Sequence, residues 1–319
     1  MKTLFTTLTL LLVVVFRGLC ADYAANEGGV VVGAERLSEF RHLLEGRRVG
    51  VLANEKSRIA EGLLIDTLLA SGVDVTLIFA PEGGFRNDGV ERMRDSYMGI
   101  QALTLTDLPK SNDVFRCDLI ICDLQCSGVR FAAEVGALYR MMQVCATVDV
   151  PLLLLDRPNL NGSCVDGAII ETPLRRGAED LPLPLVYGMT LGELARMING
   201  EGWLTGGIKC PLTVVPCEDY ERGESGGEST VVPLSRGLCV EVPIVNERGE
   251  IDLSLLVAAY KKRNTTEEFF VGEEFDRQIG TSYVRDMVEM GYTAAEIESM
   301  WSADIERFCR EREEYLIYE

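Results

Sequence analysis

The segment CDLIICDLQCSGVRFAAEVGALYRMMQVCATVDVPLLLLDR, residues 117–157, decides the fold. Its two ends, CDLIICDLQ (117–125) and VPLLLLDR (150–157), are short runs rich in Leu, Ile and Val that predict strands buried on both faces. The residues between them carry an apolar stripe at helical spacing: Phe131, Val135, Leu138, Met142 and Cys145. Strand, helix and strand in this order predict a βαβ unit of a parallel sheet.

The same rhythm continues on both sides of this unit. RRVGVLAN (47–54) and VDVTLIFAPE (73–82) predict two more strands, and the residues between them, 57–72, predict a helix. A capping box of Thr190 and Glu193 predicts a further helix that closes at Gly200. We therefore expect an α/β fold with a Rossmann-like, doubly wound, mostly parallel sheet over residues 27–200.

The alternation of predicted strands and helices changes after residue 200. Strand patterns flank an exposed loop around ERGESGGEST, and a charged helical tail follows. Residues 201–319 are expected to form a smaller, shortened C-terminal α+β domain. Its tail is expected to pack back through four apolar side chains: Trp301, Phe308, Tyr315 and Ile317.

The ends and the charge of the chain restrict its partners. The formal net charge of −19 argues against nucleic acid or an anionic membrane as the main partner, since both require clustered cations. Residues 1–20, with Lys2 before a short apolar run, are typical of a signal peptide and predict an exported, periplasmic or extracellular protein. A lipid-acceptor role for Cys20 is the alternative. No later segment predicts a transmembrane helix.

Several kinds of chemistry are excluded by what the chain lacks. His42 is the single histidine, so a Ser-His-Asp or Cys-His nucleophile and a His-rich metal site are not expected. The cysteines lack zinc-site spacing, and most are expected to be small buried apolar residues. Neither GxGxxG nor GxxxxGK[ST] occurs. We expect no metal and no cofactor, and acid–base chemistry by carboxylates, Tyr or Lys.

Polar residues follow all four predicted strands at the point where each strand ends. In open parallel sheets the ligand crevice lies beyond the carboxyl ends of the strands, so these side chains are expected to converge on one rim. Any single one of them could instead cap a helix or satisfy a loop. The set comprises Asn54, Glu82, Asp123, Gln125, Asp156, Arg157 and Asn159.

Glu82 lies in LIFAPEGGFRND (77–88), at the tip of an apolar strand. A carboxyl group there, beside Phe85, would be partly desolvated and its pKa raised, as a general acid requires. An ion pair with Arg86 or Arg130 is the alternative and would lower the pKa instead. The sequence therefore predicts Glu82 as a candidate acid.

Three arginines near this rim are candidates for ligand binding. Arg86, Arg130 and Arg157 could bind a ligand carboxylate through bidentate hydrogen bonds. Equally, they could neutralise Asp123 and Asp156.

Longer motifs point to a family. APEGGFR resembles "SPEHGFRG", and CDLIICDLQCSGVRF resembles "VDVLVFDIQDVGARFYTY". LLLDRPNLNGSCVDG resembles "VVLDRPNPLGGxxVEG", and PLPLVYGMTLGELARMINGEGWL resembles "PIPVVYGMTVGELAxMINGEGWL". By these motifs the chain resembles the NamZ-like exo-β-N-acetylmuramidase family of exported bacterial proteins.

The resemblance implies a Rossmann-like larger domain, a smaller C-terminal domain and an active cleft between them. It implies release of terminal β-1,4-linked N-acetylmuramic acid (MurNAc) from the non-reducing ends of peptidoglycan fragments, so a MurNAc-containing oligosaccharide is the expected partner. Glu82 would be the catalytic glutamate, and the arginines would bind the lactyl carboxylate of the substrate. Asp123 or Asp156 would serve as a second carboxylate, unless the substrate's acetamido group replaces it.

The chain also departs from the family pattern. Gly83 replaces the histidine after the glutamate, and Cys126 replaces the aspartate of "DIQD". Residues 132–134 replace aromatic and hydroxyl residues, and the segment between Val214 and Phe269 is several dozen residues too short. A paralogue that has lost catalysis and binds muropeptides or a cell-envelope partner is therefore the main alternative. A flavodoxin-like domain for a nucleotide or flavin is a third.

Overall fold

The computed structural model describes most of the chain. It covers residues 29–59, 62–81, 92–94, 99–105, 109–222, 229–235, 238–243, 251–262, 269–270 and 272–319. The candidate site residues Glu82, Phe85 and Arg86 and the expected signal segment 1–20 lie outside the described residues.

The strands alternate with helices along the chain, as the sequence predicts. In chain order the strands are β1 (Arg48–Ala53), β2 (Arg58–Ile59), β3 (Gly62–Leu63), β4 (Asp74–Ala80), β5 (Arg92–Arg94), β6 (Gln101–Thr104), β7 (Leu119–Asp123), β8 (Leu152–Leu155), β9 (Leu212–Val215), β10 (Ser229–Ser235) and β11 (Leu238–Pro243). The α-helices are α1 (Leu37–Phe40), α2 (Leu64–Ala70), α3 (Ser111–Val114), α4 (Ala133–Val148), α5 (Leu191–Gly200), α6 (Ser254–Lys262), α7 (Glu273–Ile279), α8 (Tyr283–Met290), α9 (Ala294–Glu298) and α10 (Ser302–Arg312).

Seven of these strands form one sheet in the order β5-β6-β4-β1-β7-β8-β9. All neighbouring pairs are parallel except β5 with β6, which is antiparallel. Counting the parallel strands alone along the chain, the order is the 3-2-1-4-5-6 of a Rossmann fold. The expected doubly wound, mostly parallel sheet is confirmed.

Helices cover both faces of the sheet because the strand residues alternate between two cores. Val49 and Val51 of β1 pack on the face covered by α1 and α2, with Ile121 of β7. Leu52 and Ile120 point to the opposite core, which α4 and α5 cover. Both faces are thus buried, which explains the near-continuous apolar runs of the strands.

The helix predicted over residues 57–72 is shorter than expected. Arg58–Ile59 pairs with Gly62–Leu63 as a small antiparallel hairpin, and the helix begins only at Leu64. Gly62 has a φ of +134°, which lies outside the helical region and is readily adopted by glycine alone. Ile59 and Leu63 therefore belong to the two strands of this hairpin and not to a helical stripe.

The main sheet extends beyond the boundary expected at residue 200. β9, which the sequence placed in the second domain, pairs with β8 from Leu152↔Leu212 to Leu155↔Val215 and forms the edge of the main sheet. Its apolar pattern gives no sign of its partner, because strand pairing depends on contacts far away in the chain.

The C-terminal part has a core of its own. Helices α6 to α9 surround a cluster that includes Phe275 and Trp301, and this cluster also contacts Val129 and Val186 of the first part. Phe308 of α10 is buried in the core of the main sheet, and Tyr315 packs against it. The expected return of the tail is thus confirmed for these aromatic side chains.

Two further features follow from the described residues. None of their helices has both the length and the apolar character that a bilayer crossing requires. Cys117, Cys122, Cys126, Cys145, Cys164, Cys210 and Cys217 are buried, as expected for small apolar side chains.

Candidate functional site

The carboxyl ends of β1 and β7 meet at the switch point of the sheet, where chain order turns from one side to the other. Asn54 follows β1, and Asp123 ends β7. The Ser57 hydroxyl accepts from the backbone N–H of Asn54 at 2.9 Å and donates to the backbone carbonyl of Asp123 at 2.5 Å. The two strand ends are therefore tied together by hydrogen bonds.

The Asn54 side chain joins three elements at this edge. It is buried, and its Nδ2 donates to the backbone carbonyl of Gln125 at 2.9 Å and to Oε1 of Glu134 at 3.1 Å. Glu134 lies in the first turn of α4 and is half-buried. Asn54, predicted as a substrate-binding residue, thus spans the switch point and holds a carboxylate there.

Asp123 and Arg157 form a buried ion pair. Arg157 Nε donates to Asp123 Oδ1 at 2.5 Å, and Nη2 donates to Oδ2 at 3.1 Å. Burial alone lowers the pKa of Arg157, but the charge of Asp123 and its hydrogen bonds outweigh burial and raise that pKa above its usual value. Neutralisation, one of the two roles expected for this arginine, is confirmed for this pair.

Asp156 makes a different set of contacts, without an arginine. Its side chain is fully buried and accepts from Thr190 Oγ1 at 2.7 Å, the Gly192 N–H at 2.8 Å and Tyr318 Oη at 2.7 Å. Burial raises its pKa to about 6, although the three donors act in the opposite direction. Asp156 therefore anchors the start of α5 and the C-terminal tail.

The raised pKa predicts a pH-dependent contribution to stability. The native state holds the Asp156 proton more tightly than the unfolded state, where the pKa is about 3.9. The stabilisation is therefore complete below pH ~4 and is lost as pH rises through about 6, a change of roughly 2–3 kcal/mol. Denaturant unfolding of wild type and Asp156→Asn should show a stability difference that shrinks by this amount between pH 4 and 7. A constant difference would contradict the assignment.

Arg130 binds backbone carbonyls. Its Nη1 donates to the carbonyls of Ala168 at 2.7 Å and Leu183 at 2.9 Å, and Nη2 donates to that of Gln278 at 2.8 Å. Burial lowers its pKa to about 9. The cation thus ties three separate segments together, and these contacts do not support its predicted role as a reader of a ligand carboxylate.

Gln125 and Asn159 complete the predicted rim. Gln125 is half-buried, and its Nε2 donates to the carbonyl of Pro158 at 2.8 Å. Asn159 is buried, donates to the carbonyl of Met189 at 2.8 Å and accepts from the Asn161 N–H at 2.8 Å. Gly128 leaves room for it, since a Cβ there would lie 2.0 Å from Asn159 Oδ1. These contacts organise the loops beyond β7 and β8.

A second buried ion pair was not predicted. Arg222 donates through both Nη atoms to the Glu193 carboxylate, which also accepts from the N–H groups of Thr190, Ile317 and Tyr318. The capping box predicted at Thr190 and Glu193 is confirmed. Its sequence signal identifies the helix start but not the tail that docks on the same carboxylate.

The structure thus brings part of the predicted rim together. Asn54, Asp123 and Gln125 meet at the switch point, with Arg157 paired to Asp123, whereas Asp156 faces α5 and the tail. Glu134 was noted in the sequence only as a departure from the family pattern, and its contact with Asn54 gives it a place in the site. Within the described residues, no cluster of three or more His, Cys, Asp or Glu side chains could hold a metal ion.

Comparison with known proteins gives consistent matches. Residues 49–233 match the family model of the N-terminal domain of exo-β-N-acetylmuramidase NamZ, and residues 237–318 match that of its C-terminal domain. The chain is 29% identical over 204 residues to the peptidoglycan β-N-acetylmuramidase NamZ of Bacillus subtilis (strain 168). That alignment covers 58% of this chain and 47% of the relative, so the chain matches about half the length of that protein.

Two solved structures resemble the whole fold. A DUF1343 family protein from Bacteroides fragilis NCTC 9343, solved at 1.30 Å, is 30% identical with a TM-score of 0.79, over 91% of this chain and 99% of that one. A second from the same organism, solved at 1.65 Å, is 20% identical with a TM-score of 0.76 over the same shares and supports the fold alone. With both domain models matched in order along residues 49–318, the chain belongs to the NamZ exo-β-N-acetylmuramidase family.

Proposed function

We propose that the protein is a muramidase-type glycosidase. It releases terminal β-1,4-linked MurNAc from the non-reducing ends of peptidoglycan fragments, and Glu82 is its general acid. The observation that carries the proposal is the match of both NamZ domain models over residues 49–318. The curated relative from Bacillus subtilis, a peptidoglycan β-N-acetylmuramidase, supports the same substrate class.

The polar edge of the sheet supports a ligand site at the switch point. Open α/β sheets bind ligands beyond the carboxyl ends of their strands, and β4, β1 and β7 are neighbours there. Glu82 follows β4 in the sequence by two residues, after the buried Pro81. A carboxyl group that enters an apolar setting has a raised pKa and can donate a proton to a departing sugar oxygen.

A glycosidase of the usual kind requires a second carboxylate, about 5–5.5 Å from the first for retention and about 6.5–9.5 Å for inversion. Asp123 and Asp156, the candidates from the sequence, are both fully buried, and their oxygens are engaged by Arg157 and by three neutral donors. These contacts favour structural roles for both. The acetamido group of the substrate then becomes the stronger candidate for assisting the reaction.

A family member that binds muropeptides without cleaving them is the second candidate function. The saturation of Asp123 and Asp156 favours it, together with Gly83 in place of the family's histidine. The retained Glu82 opposes it, because a site that has lost catalysis is not expected to keep the acid.

Incubation with a defined MurNAc–GlcNAc fragment separates the two functions. Release of free MurNAc, followed by chromatography, is expected for the glycosidase. No release at high protein concentration, together with measurable binding of the same fragment, would establish the binding protein instead.

The substrate class also requires export, which we propose on the basis of residues 1–20. The mature protein is expected to begin soon after Cys20. Intact-mass measurement of the native protein checks this, and a cytoplasmic pool that retains Met1 would contradict it. A diacylated Cys20 would identify a lipoprotein.

A further inference from the structure

We propose that Glu134 contacts the terminal sugar and accepts hydrogen bonds from its free hydroxyl groups, so that it reads the end of the glycan chain. The inference deepens the proposed function and rests on it for the identity of the ligand. It is carried by the position, the contacts and the exposure of one carboxylate at the switch point.

Glu134 is held at the switch-point edge by Asn54. The Asn54 Nδ2 donor lies 3.1 Å from Glu134 Oε1, and the same nitrogen donates to the Gln125 carbonyl beyond the end of β7. The carboxylate therefore lies at the carboxyl ends of β1 and β7, where an open α/β sheet binds its ligand. Within the part of the chain that the structure describes, no hydrogen bond reaches its second oxygen, Oε2.

The other carboxylates of this edge differ from Glu134 in exposure. Asp123 and Asp156 are each 0% exposed, and both oxygens of each accept hydrogen bonds from the protein. Glu134 is half-buried, with one oxygen fixed. It combines a defined position with access from outside, which a ligand-binding carboxylate requires.

The chemistry of an ionised carboxylate suits it to recognise a chain end. A carboxylate accepts hydrogen bonds and donates none, so its partner must carry a hydrogen. At the non-reducing end of a β-1,4-linked glycan the 4-hydroxyl is free and can donate. In an internal sugar the same oxygen is part of the glycosidic bond and has no hydrogen. Glu134 thereby distinguishes a terminal sugar from an internal one.

Asn54 acts as a positioning residue in this arrangement. Its amide fixes one carboxylate oxygen of Glu134 by a charge-assisted hydrogen bond. Because the carboxylate is planar and rigid, this hydrogen bond also restricts the position of the second oxygen, which remains available to the ligand. Its own Oδ1 accepts from the backbone N–H of Gln125 at 3.4 Å, so the amide orientation is fixed in turn. Replacing Asn54 should weaken ligand binding only as long as Glu134 is present.

The test uses free MurNAc and its 4-deoxy analogue as probes, which lack a bond for the protein to cleave. NMR titration of wild type should show roughly tenfold to hundredfold weaker binding of the analogue, as expected for a lost hydrogen bond to a charged group. In Glu134→Ala the two sugars should bind alike. In Glu134→Gln, which preserves the size of the side chain, the ratio should fall to an intermediate value. Glu55→Gln is the matched control, since Glu55 is exposed beside Asn54, and it should keep the wild-type ratio.

The outcomes separate the inference from the proposed function. If both Glu134 variants keep the wild-type ratio of affinities for the two sugars, the inference is overturned. The same holds if the variants keep that ratio and only unfold more readily, because Glu134 would then merely stabilise the start of α4. If wild type cleaves the MurNAc–GlcNAc fragment in that case, the proposed function stands. If the ratio collapses as expected but no cleavage occurs, catalysis is refuted and the inference holds. Failure of wild type to bind MurNAc overturns the inference, and cleavage of the MurNAc–GlcNAc fragment then decides the proposed function alone.

Discussion

Glu82→Gln is expected to lower the hydrolysis rate by about 10²–10⁴-fold, the usual contribution of positioned acid catalysis. Glutamine preserves the size of the side chain and most of its hydrogen-bonding capacity but has no proton to transfer at neutral pH. The melting temperature and the affinity for MurNAc should therefore stay close to those of wild type. Release of MurNAc from a defined fragment, measured under single-turnover conditions, reports the chemical step directly.

The pH dependence provides a second, independent sign of the same role. A general acid works in its protonated form, so the wild-type rate should fall at alkaline pH as Glu82 loses its proton. The Glu82→Gln protein should lack that limb, because nothing titrates at this position. The comparison requires rates for both proteins across a pH range in which both remain folded.

Two results would contradict this role. Retention of most of the wild-type rate in Glu82→Gln would assign the acid to another residue, with Asp123 and Asp156 to be examined next. An inactive wild type whose Glu82→Gln variant loses ligand affinity or melts early would make Glu82 a binding or structural carboxylate. Glu55→Gln, a change of the same kind at an exposed position, should leave the rate unchanged and controls for the loss of one negative charge.

The main sheet could be predicted because its evidence is local. The apolar runs that become β1, β4, β7 and β8 are short and bounded, and the stripe that becomes α4 has clear helical spacing. The helix predicted over 57–72 begins only at Leu64, because the pattern around Gly62 does not reveal the hairpin that this non-helical glycine allows. β9 joins the main sheet although it follows residue 200, because its place depends on its pairing with β8, which no local pattern signals.

The candidate site was predictable in its location but not in its contacts. Asn54, Asp123 and Gln125 do meet at one edge, as parallel strands require. The partners of the buried carboxylates are remote: Arg157 lies 34 residues from Asp123, and Tyr318 lies 162 residues from Asp156. No local pattern signals such pairs, so whether a polar residue is exposed to ligand or enclosed by the protein emerges only from the fold.

The largest effect on stability is expected from Glu193→Ala. The Glu193 side chain is 0% exposed, and its ion pair with Arg222 is enclosed together with the backbone of the C-terminal tail. Removing one partner of a buried pair leaves the other charge without compensation and costs about 3–5 kcal/mol. We expect a loss of that size in the free energy of unfolding, measured by denaturant titration.

The chain offers a matched control for this variant. Thr293 and Glu296 form a second capping box of the same type at the start of α9, but there the carboxylate is exposed. Glu296→Ala removes the same local contacts but leaves no buried charge unpaired, so its cost should be clearly smaller than that of Glu193→Ala. The difference between the two variants isolates the contribution of the buried ion pair and of the tail.

A double-mutant cycle then tests the origin of the effect. If the loss in Glu193→Ala comes from the stranded Arg222 cation, adding Arg222→Ala should cost much less in that background than in wild type. Additive losses would show that the two residues act separately, with Arg222 acting through the carbonyls of Gly188 and Tyr318, to which it also donates. A stability loss in Glu193→Ala no larger than that in Glu296→Ala would mean that other contacts hold the tail. The next contact to test is the hydrogen bond from the Tyr318 hydroxyl to Asp156, which Tyr318→Phe removes.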